Sequence, residues 1–257
     1  MQARRYPFRQ GWFWLTEGAR LWRRSPAVLI FASFTYMLLL LLLSAIPVIG
    51  QVLAYLLMPV MSLGVLNTCR AVDQGRKTGP DLLFSGFRGP MLPQLMIIGG
   101  IYFAGSFAVL FASALFDGGT LLHIVSGSEP FDPEADLPGM GNALIVALVL
   151  SLPVLAAYWF APVLAGWWRV PAVKAMFFSF YACLQNWRPL VAFGLALLVM
   201  LGLLPRVAIS FAAMVSPLLS TLLTLMLPLV LLPVTFASFY ANARDVFGPQ
   251  GNEPPAG

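Results

Sequence analysis

The chain has 257 residues, of which 60% are hydrophobic and only 10% are charged, against roughly 25% charged residues in an average soluble domain. Several apolar stretches exceed the ~20 residues that a helix needs to cross a ~30 Å hydrocarbon core. These properties exclude a soluble globular domain and predict an all-α, polytopic transmembrane helical bundle. The net charge of +5 does not indicate nucleic-acid binding, because the basic residues stand at the ends of apolar runs and not on a soluble basic face.

Apolar runs and helix-breaking residues predict six membrane spans. The first run is longer than the hydrophobic region of a secretory signal and no A-x-A site follows it, so we expect it to remain as a span. A tight turn is expected at 47–50, where the sequence is PVIG. The segment 205–217 should be a turn or a shallow interfacial segment, because Pro217 and Pro228 argue against one over-long helix. The predicted spans are Ala27–Ile46, Val52–Thr68, Met91–Phe116, Asn142–Trp167, Leu190–Leu204 and Leu218–Tyr240.

The positions of the basic residues predict the orientation. All 15 Lys and Arg residues except Arg206 fall before the first span, after the last span, or in the connections that join spans two to three and four to five. The connection at about 117–141 carries acidic residues and no Lys or Arg. The positive-inside rule therefore predicts cytoplasmic termini and a periplasmic loop at 117–141. Residues 1–246 should form one integral membrane domain, followed by a disordered tail at 247–257.

Every outward-going span begins with the same residue types. An aromatic residue and an arginine are suited to the membrane interface, and a proline is suited to the first helical turn, where its missing N–H has no partner. The three sequences are WRRSP at 22–26, FRGP at 87–90 and WRP at 187–189.

Every inward-going span carries Pro-Val before a terminal arginine. Pro59 precedes Arg70 by the same number of residues as Pro233 precedes Arg244, and a shorter version joins Pro162 to Arg169. The order of these signals predicts three parallel helical hairpins, at about 12–72, 80–170 and 173–246. The alternative is that arginine, tryptophan and proline are ordinary membrane-border residues, which only set the topology.

Two segments have the pattern of amphipathic helices that do not cross the membrane. Residues 9–24 place tryptophan and leucine on one stripe and charged residues on the other, and residues 173–188 repeat this arrangement. A shorter third example is expected at 75–87. Each could lie in the cytoplasmic headgroup layer or pack on the base of the protein itself.

Side chains that could carry catalysis or bind a metal are scarce. The only histidine, His123, stands in the acidic connection, so no His-based metal site or catalytic triad is expected. Cys69 and Cys183 are far apart and should be free thiols. We therefore predict no enzymatic activity and no cofactor. A flexible solvated loop is a better interpretation than a weak cation site for the four clustered carboxylates Glu129, Asp132, Glu134 and Asp136.

Four stretches together resemble one known family. They are GWFWLTEGARLWRRSP at 11–26, LFSGFR at 83–88, FFSFYACLQNWRPLVAFG at 177–194 and ARDVF at 243–247. The chain resembles an uncharacterised family of multipass inner-membrane proteins found mostly in betaproteobacteria. The resemblance covers nearly the whole chain except the acidic loop and the tail. It implies a bacterial inner-membrane location and supplies no activity, substrate or catalytic residue.

Three functions are considered for such a bundle. The first is a non-enzymatic membrane protein that binds lipid, especially anionic headgroups, or a membrane partner whose identity stays open. The second is a transporter or channel for an uncharged or amphipathic solute, and the third is a lipid-modifying enzyme. The residues predicted to contact lipid or a partner are Trp22, Arg23, Arg24, Arg70, Arg88, Trp187, Arg188 and Arg244.

Overall fold

A computed structural model describes residues 3–126 and 139–248, and every regular element in these ranges is helical. The acidic cluster at 129–136 and most of the predicted tail lie outside them. Helices are numbered in chain order, and the non-spanning ones are α1 (Gln10–Arg24), α4 (Ser85–Arg88), α6 (Thr120–Ser126) and α9 (Ala172–Gln185). The spanning ones are α2 (Pro26–Ser44), α3 (Ile49–Asp73), α5 (Leu92–Asp117), α7 (Met140–Trp159) with α8 (Ala161–Trp168), α10 (Trp187–Leu198) with α11 (Leu204–Val215), and α12 (Pro217–Phe247).

The prediction of six spans is confirmed, since six helical stretches are long and apolar enough to cross a membrane. The prediction for 205–217 is wrong. A π-helical turn at Val199–Leu203 joins α10 to α11, and the helix continues to Val215. Pro205 follows directly after this π-helical turn, and such a local π adjustment accommodates a proline within a membrane helix. The helix ends at Ser216, whose extended backbone is the conformation favoured before a proline.

The predicted tight turn between α2 and α3 is present, but its strained residue is not the glycine. Val48 adopts φ 60° and ψ −69°, and the Ile49 N–H donates to the Pro47 carbonyl at 2.7 Å. This is a γ-turn with positive φ at a β-branched residue, a conformation that costs free energy. Gly50 instead lies inside α3, packed against the Leu43 carbonyl.

Burial is concentrated at one end of the bundle. We call the end that carries both chain termini the terminal end, and the helices that lead the chain back to it (α3, α7–α8 and α12) the returning helices. The core contains the last parts of all three, at about 59–72, 160–165 and 233–246. The opposite halves of the spans expose large apolar side chains, such as Leu148 and Leu225, as expected for surfaces that face lipid.

Three short elements surround the terminal end, and we call α1, α4 and α9 the collar. Each of these elements packs closely across one returning helix. A Cβ added at Gly18 of α1 would stand 2.6 Å from the Val234 carbonyl oxygen of α12, and one added at Gly86 of α4 would stand 2.3 Å from the Val60 carbonyl oxygen of α3. Both contacts therefore need glycine, and in both the contacted residue is the valine of a Pro-Val pair, Pro59-Val60 or Pro233-Val234.

The third crossing uses a hydroxyl group in place of a glycine. Ser179 of α9 is fully buried and bridges the break between α7 and α8. The Phe160 N–H donates to Ser179 Oγ at 2.8 Å, and this hydroxyl donates to the Ala156 carbonyl at 2.7 Å. A side chain inserted into the helical ladder in this way interrupts the helix, which explains the break two residues before Pro162.

The strained turn generates a stability prediction. Replacement of Val48 by glycine, Val48→Gly, should raise the free energy of unfolding by about 1–2 kcal/mol, because glycine adopts positive φ without the Cβ penalty. The matched control is Val173→Gly, at a similarly exposed valine within α9, which should lower stability by roughly 0.5–1 kcal/mol. Thermal unfolding in detergent measures both, and a lower midpoint for Val48→Gly would contradict the strain at this turn.

Candidate functional site

An ion-pair cluster lies where α1, α3 and α12 meet at the terminal end. Arg244 Nη1 lies 2.9 Å from Asp73 Oδ2 and 3.3 Å from Glu17 Oε1, and Arg244 Nη2 lies 3.1 Å from Asp245 Oδ1. The Tyr240 hydroxyl donates to Asp73 at 3.0 Å. We call Glu17, Asp73, Arg244 and Asp245 the clasp, because they join α1, α3 and α12.

Two further arginines approach the clasp from α1. Arg20 Nε donates to Glu17 Oε2 at 2.7 Å, and Arg20 Nη2 lies 3.5 Å from Asp73 Oδ1. Arg24 Nη1 lies 3.8 Å from the same Asp73 oxygen. Of the arginines proposed from the sequence, Arg24 and Arg244 are therefore paired with carboxylates of the protein itself.

Asp245 also holds the N-terminal segment in place. Its Oδ2 accepts from Gln10 Nε2 at 2.9 Å and from Trp14 Nε1 at 3.1 Å, while the Tyr6 hydroxyl donates to its carbonyl at 3.1 Å. Buried Asn186 accepts from the Tyr6 N–H at 3.0 Å. The sequence interpretation missed these carboxylate contacts, and the available signal was an acidic residue near two of the three terminal arginines, Asp73 near Arg70 and Asp245 after Arg244.

Arg70 lies on the inner side of the terminal end. Its guanidinium stands 5.3 Å from the centroid of the Trp167 ring, and Trp167 Nε1 donates to Asn67 Oδ1 at 2.7 Å. Arg70 lines a pocket of about 120 Å³ together with Trp167, Tyr240 and two members of the clasp, Asp73 and Arg244. Arg70 is thus part of the packing between returning helices and not of the outer rim.

The remaining proposed residues lie on the outside of the collar. Arg23, Arg88 and Arg188 are exposed, and none of them forms an ion pair within the described ranges. The Arg188 guanidinium lies 5.5 Å from the centroid of the Trp187 ring, which is 57% exposed. Trp22 is half-buried against the core. The structure therefore separates the predicted residues into an inner set and a rim set, the latter being Trp22, Arg23, Arg88, Trp187 and Arg188.

Two surface depressions lie along α1. A polar cleft of about 500 Å³ is lined by Thr16, Ala19, Arg20, Arg23 and Arg24. A nearly apolar groove of about 450 Å³ separates the start of α1 from α10. The groove could not be predicted from the sequence, because its apolar side chains come together only through the packing of α1 on α10.

A group of uncharged hydroxyls occupies the middle of the bundle. The rings of Tyr102 and Tyr158 stack with centroids 4.3 Å apart, and Tyr36 lies within electrostatic range of both hydroxyls. The Tyr158 hydroxyl is buried and forms no hydrogen bond of normal length among the described residues, although the Ser62 hydroxyl is close enough to interact with it. A buried polar group in this state is costly unless something pairs with it.

Nucleophilic and metal-binding groups are sparse in the described ranges. Cys69 and Cys183 are buried free thiols, as predicted. Burial raises the pKa of the Cys183 thiol to about 12, which keeps it protonated and unreactive. The described residues contain no group of three or more His, Cys, Asp or Glu side chains that could hold a metal ion.

The clasp generates a pH prediction. The hydrogen bond from Arg20 lowers the pKa of the Glu17 carboxyl, and Arg244 lowers it further, against the opposing effect of burial. A carboxylate whose pKa is lower in the folded state stabilises the protein above its unfolded pKa and loses this contribution as the pH falls through the folded pKa. Glu17→Gln should therefore lower stability at neutral pH and flatten the decline that the wild type shows as the pH falls below about 4.3, the ordinary pKa of a glutamate.

Thermal unfolding across this pH range provides the measurement. Asp81→Asn is the matched control, because Asp81 is exposed and lies outside the clasp, and it should keep the wild-type profile. An unchanged slope in Glu17→Gln would show that Glu17 does not stabilise the fold through its charge.

Comparison with known proteins gives one informative relative. No protein-family model matches the chain, and no solved structure matches it. A probable inner membrane protein of Burkholderia thailandensis is 38% identical over an alignment of 260 positions, which covers 97% of this chain and 95% of the relative. Similarity at this level along almost the entire length, combined with six spanning helices, places both chains in one family. The chain belongs to an uncharacterised family of multipass probable inner membrane proteins.

Proposed function

We propose that the protein is a non-enzymatic integral protein of the inner membrane that binds anionic phospholipid around its collar. The observation that carries this proposal is the pairing of an exposed arginine with an aromatic residue just before α2, just before α5 and at the start of α10. The pairs are Trp22 with Arg23, Phe87 with Arg88, and Trp187 with Arg188. These three arginines form no ion pair with a carboxylate of the described residues, whereas Arg20, Arg24 and Arg244 do.

The residue chemistry suits a phospholipid headgroup. A basic residue near an anionic leaflet contributes about 1 kcal/mol of binding free energy. Arginine can hold two phosphate oxygens with its planar fork, and tryptophan is stable at the level of the headgroups and carbonyls. The cleft that contains Arg23 adds a concave basic surface of about 500 Å³ on the same face.

The proposal places the terminal end in the cytoplasm, where anionic lipid and the positive-inside rule both favour basic residues. Reporter fusions at Lys77 and Arg169 should then give cytoplasmic signals, and a fusion within 127–138 should give a periplasmic signal. A periplasmic signal at either basic site would contradict the predicted orientation of the six spans.

Loss of two rim arginines should weaken lipid binding. In native mass spectrometry with cardiolipin or phosphatidylglycerol, the double variant Arg23→Gln, Arg188→Gln should retain about thirtyfold less lipid, because two charges contribute roughly 2 kcal/mol together. Arg206→Gln is the matched control, since Arg206 is exposed in α11 at the opposite half of the bundle, and it should retain lipid as the wild type does.

The folded state of each variant is checked by its thermal unfolding midpoint. Equal retention in the double variant and in wild type, with midpoints unchanged, would reduce the rim arginines to topology anchors and end the lipid-binding proposal.

Transport of an uncharged or amphipathic solute is the second candidate function. It is favoured by the cluster of tyrosine hydroxyls around Tyr158, which could hydrogen-bond a neutral polar molecule at mid-membrane depth without any charged side chain. A continuous polar path from Tyr158 to either face would favour transport over lipid binding. A lipid-modifying enzyme ranks below both, because the clasp carboxylates are held by arginines and the Cys183 thiol has a raised pKa.

A further inference from the structure

The apolar groove between α1 and α10 is built from a bulky wall and a small-residue floor. Phe8, Trp12 and Phe13 form the α1 side and are each more than half exposed. Ala192 and Ala196 of α10 form the floor. The volume of about 450 Å³ lies within the ~300–1,000 Å³ range of ligand pockets.

The groove is fixed in shape because α1 and α10 touch at backbone level beside it. A Cβ added at Gly11 would stand 2.3 Å from the Pro189 carbonyl oxygen and 2.8 Å from Ala192 Cβ. The Trp14 ring also packs edge-on against Phe193, with centroids 5.9 Å apart. The depression is therefore a consequence of rigid packing and exists without an occupant.

The groove runs along α10, and hence along the direction of the lipid chains. Its floor and far end, Ala192 to Val199, lie five to twelve residues after Trp187, which corresponds to about 8–18 Å of helix. With Trp187 at the interface, the floor of the groove lies about 8–18 Å deep along α10, which reaches the full ~15 Å depth of one leaflet of a ~30 Å core. An extended acyl chain has this orientation and this depth.

Positive charge is confined to the mouth of the groove. Arg9 lines it, and Arg188 stands one helical turn before Ala192 on the same stripe of α10. Both arginines are exposed, and neither forms an ion pair within residues 3–126 and 139–248. The mouth is thus complementary to a phosphate, while the interior is complementary to hydrocarbon.

We infer that this groove is a specific site for one acyl chain of an anionic phospholipid, whose phosphate is held by Arg9 and Arg188. The inference rests on the proposed lipid-binding function and adds to it a defined location for the bound molecule. The order of charge and apolar surface along the groove matches the order of headgroup and chain in the bilayer. A second copy of the protein would bring no phosphate to the two arginines.

The first test is a map of contacts in the unaltered protein. Phosphatidylglycerol that carries a diazirine in one acyl chain is reconstituted with the full chain in vesicles and photolysed, and the labelled peptides are identified. The label should concentrate on the α10 peptide that contains 192–199 and on the α1 peptide that contains Trp12. A label spread evenly over the exposed faces of α2, α7 and α10 would mean ordinary annular lipid and would overturn the inference.

The second test fills the groove. Leu195→Trp places a bulky ring at a residue that lines the groove and is 53% exposed, whereas Leu198→Trp makes the same change at a 69% exposed residue of α10 that does not line it. Leu195→Trp should retain about tenfold less phosphatidylglycerol in native mass spectrometry, the effect of excluding about two methylene groups. Leu198→Trp should behave as wild type.

The outcomes separate this site from the broader proposal. Equal lipid retention in Leu195→Trp and Leu198→Trp overturns the groove site, even if Arg23→Gln, Arg188→Gln still loses lipid and keeps the proposed function. A change of oligomeric state in Leu195→Trp, without a change in lipid retention, assigns the groove to contact between copies and also overturns the inference.

Discussion

The structure depends on three close crossings between the collar and the returning helices. At Gly18 and Gly86 the backbones approach so closely that a Cβ would collide with the carbonyl oxygen of Val234 or Val60. At the third crossing Ser179 takes part in the broken ladder of α7 and α8. These contacts fix the terminal end, and they leave the opposite halves of the spans free to present apolar side chains to lipid.

Arginines in similar sequence contexts have two different roles at the terminal end. Arg244 is surrounded by three carboxylates and joins α1, α3 and α12. Arg70 packs over Trp167 between returning helices. Arg23, Arg88 and Arg188 stay exposed on the rim. The carboxylate and ring contacts of Arg244 and Arg70 commit these two arginines to the fold. Exposed arginines that form no ion pair within the described ranges, such as Arg9, Arg23 and Arg188, keep their charge for an external anion.

The spanning helices could be predicted from the sequence because hydrophobic length and basic flanks are local signals. The collar segments were also visible as amphipathic patterns, although the sequence left open whether they lie on lipid or on protein. The helix at Leu204–Val215 was not predicted because no local signal shows that a π-helical turn would accommodate Pro205 within a continuous helix. The three-hairpin repeat stays a prediction.

Other features depend on contacts between distant residues and have no local signal. The break at Phe160 needs Ser179 from another helix, and the clasp needs Asp73 and Arg244 to meet across 171 positions of sequence. The groove arises because Gly11 brings α1 against α10. The central claim, that the collar holds anionic lipid, is tested most directly by an experimental structure of the protein in native-lipid nanodiscs. The account predicts elongated density along Ala192–Val199 that ends in a phosphate between Arg9 and Arg188. A well-resolved groove that contains no lipid density, with none beside Arg23 or Arg88, would contradict it.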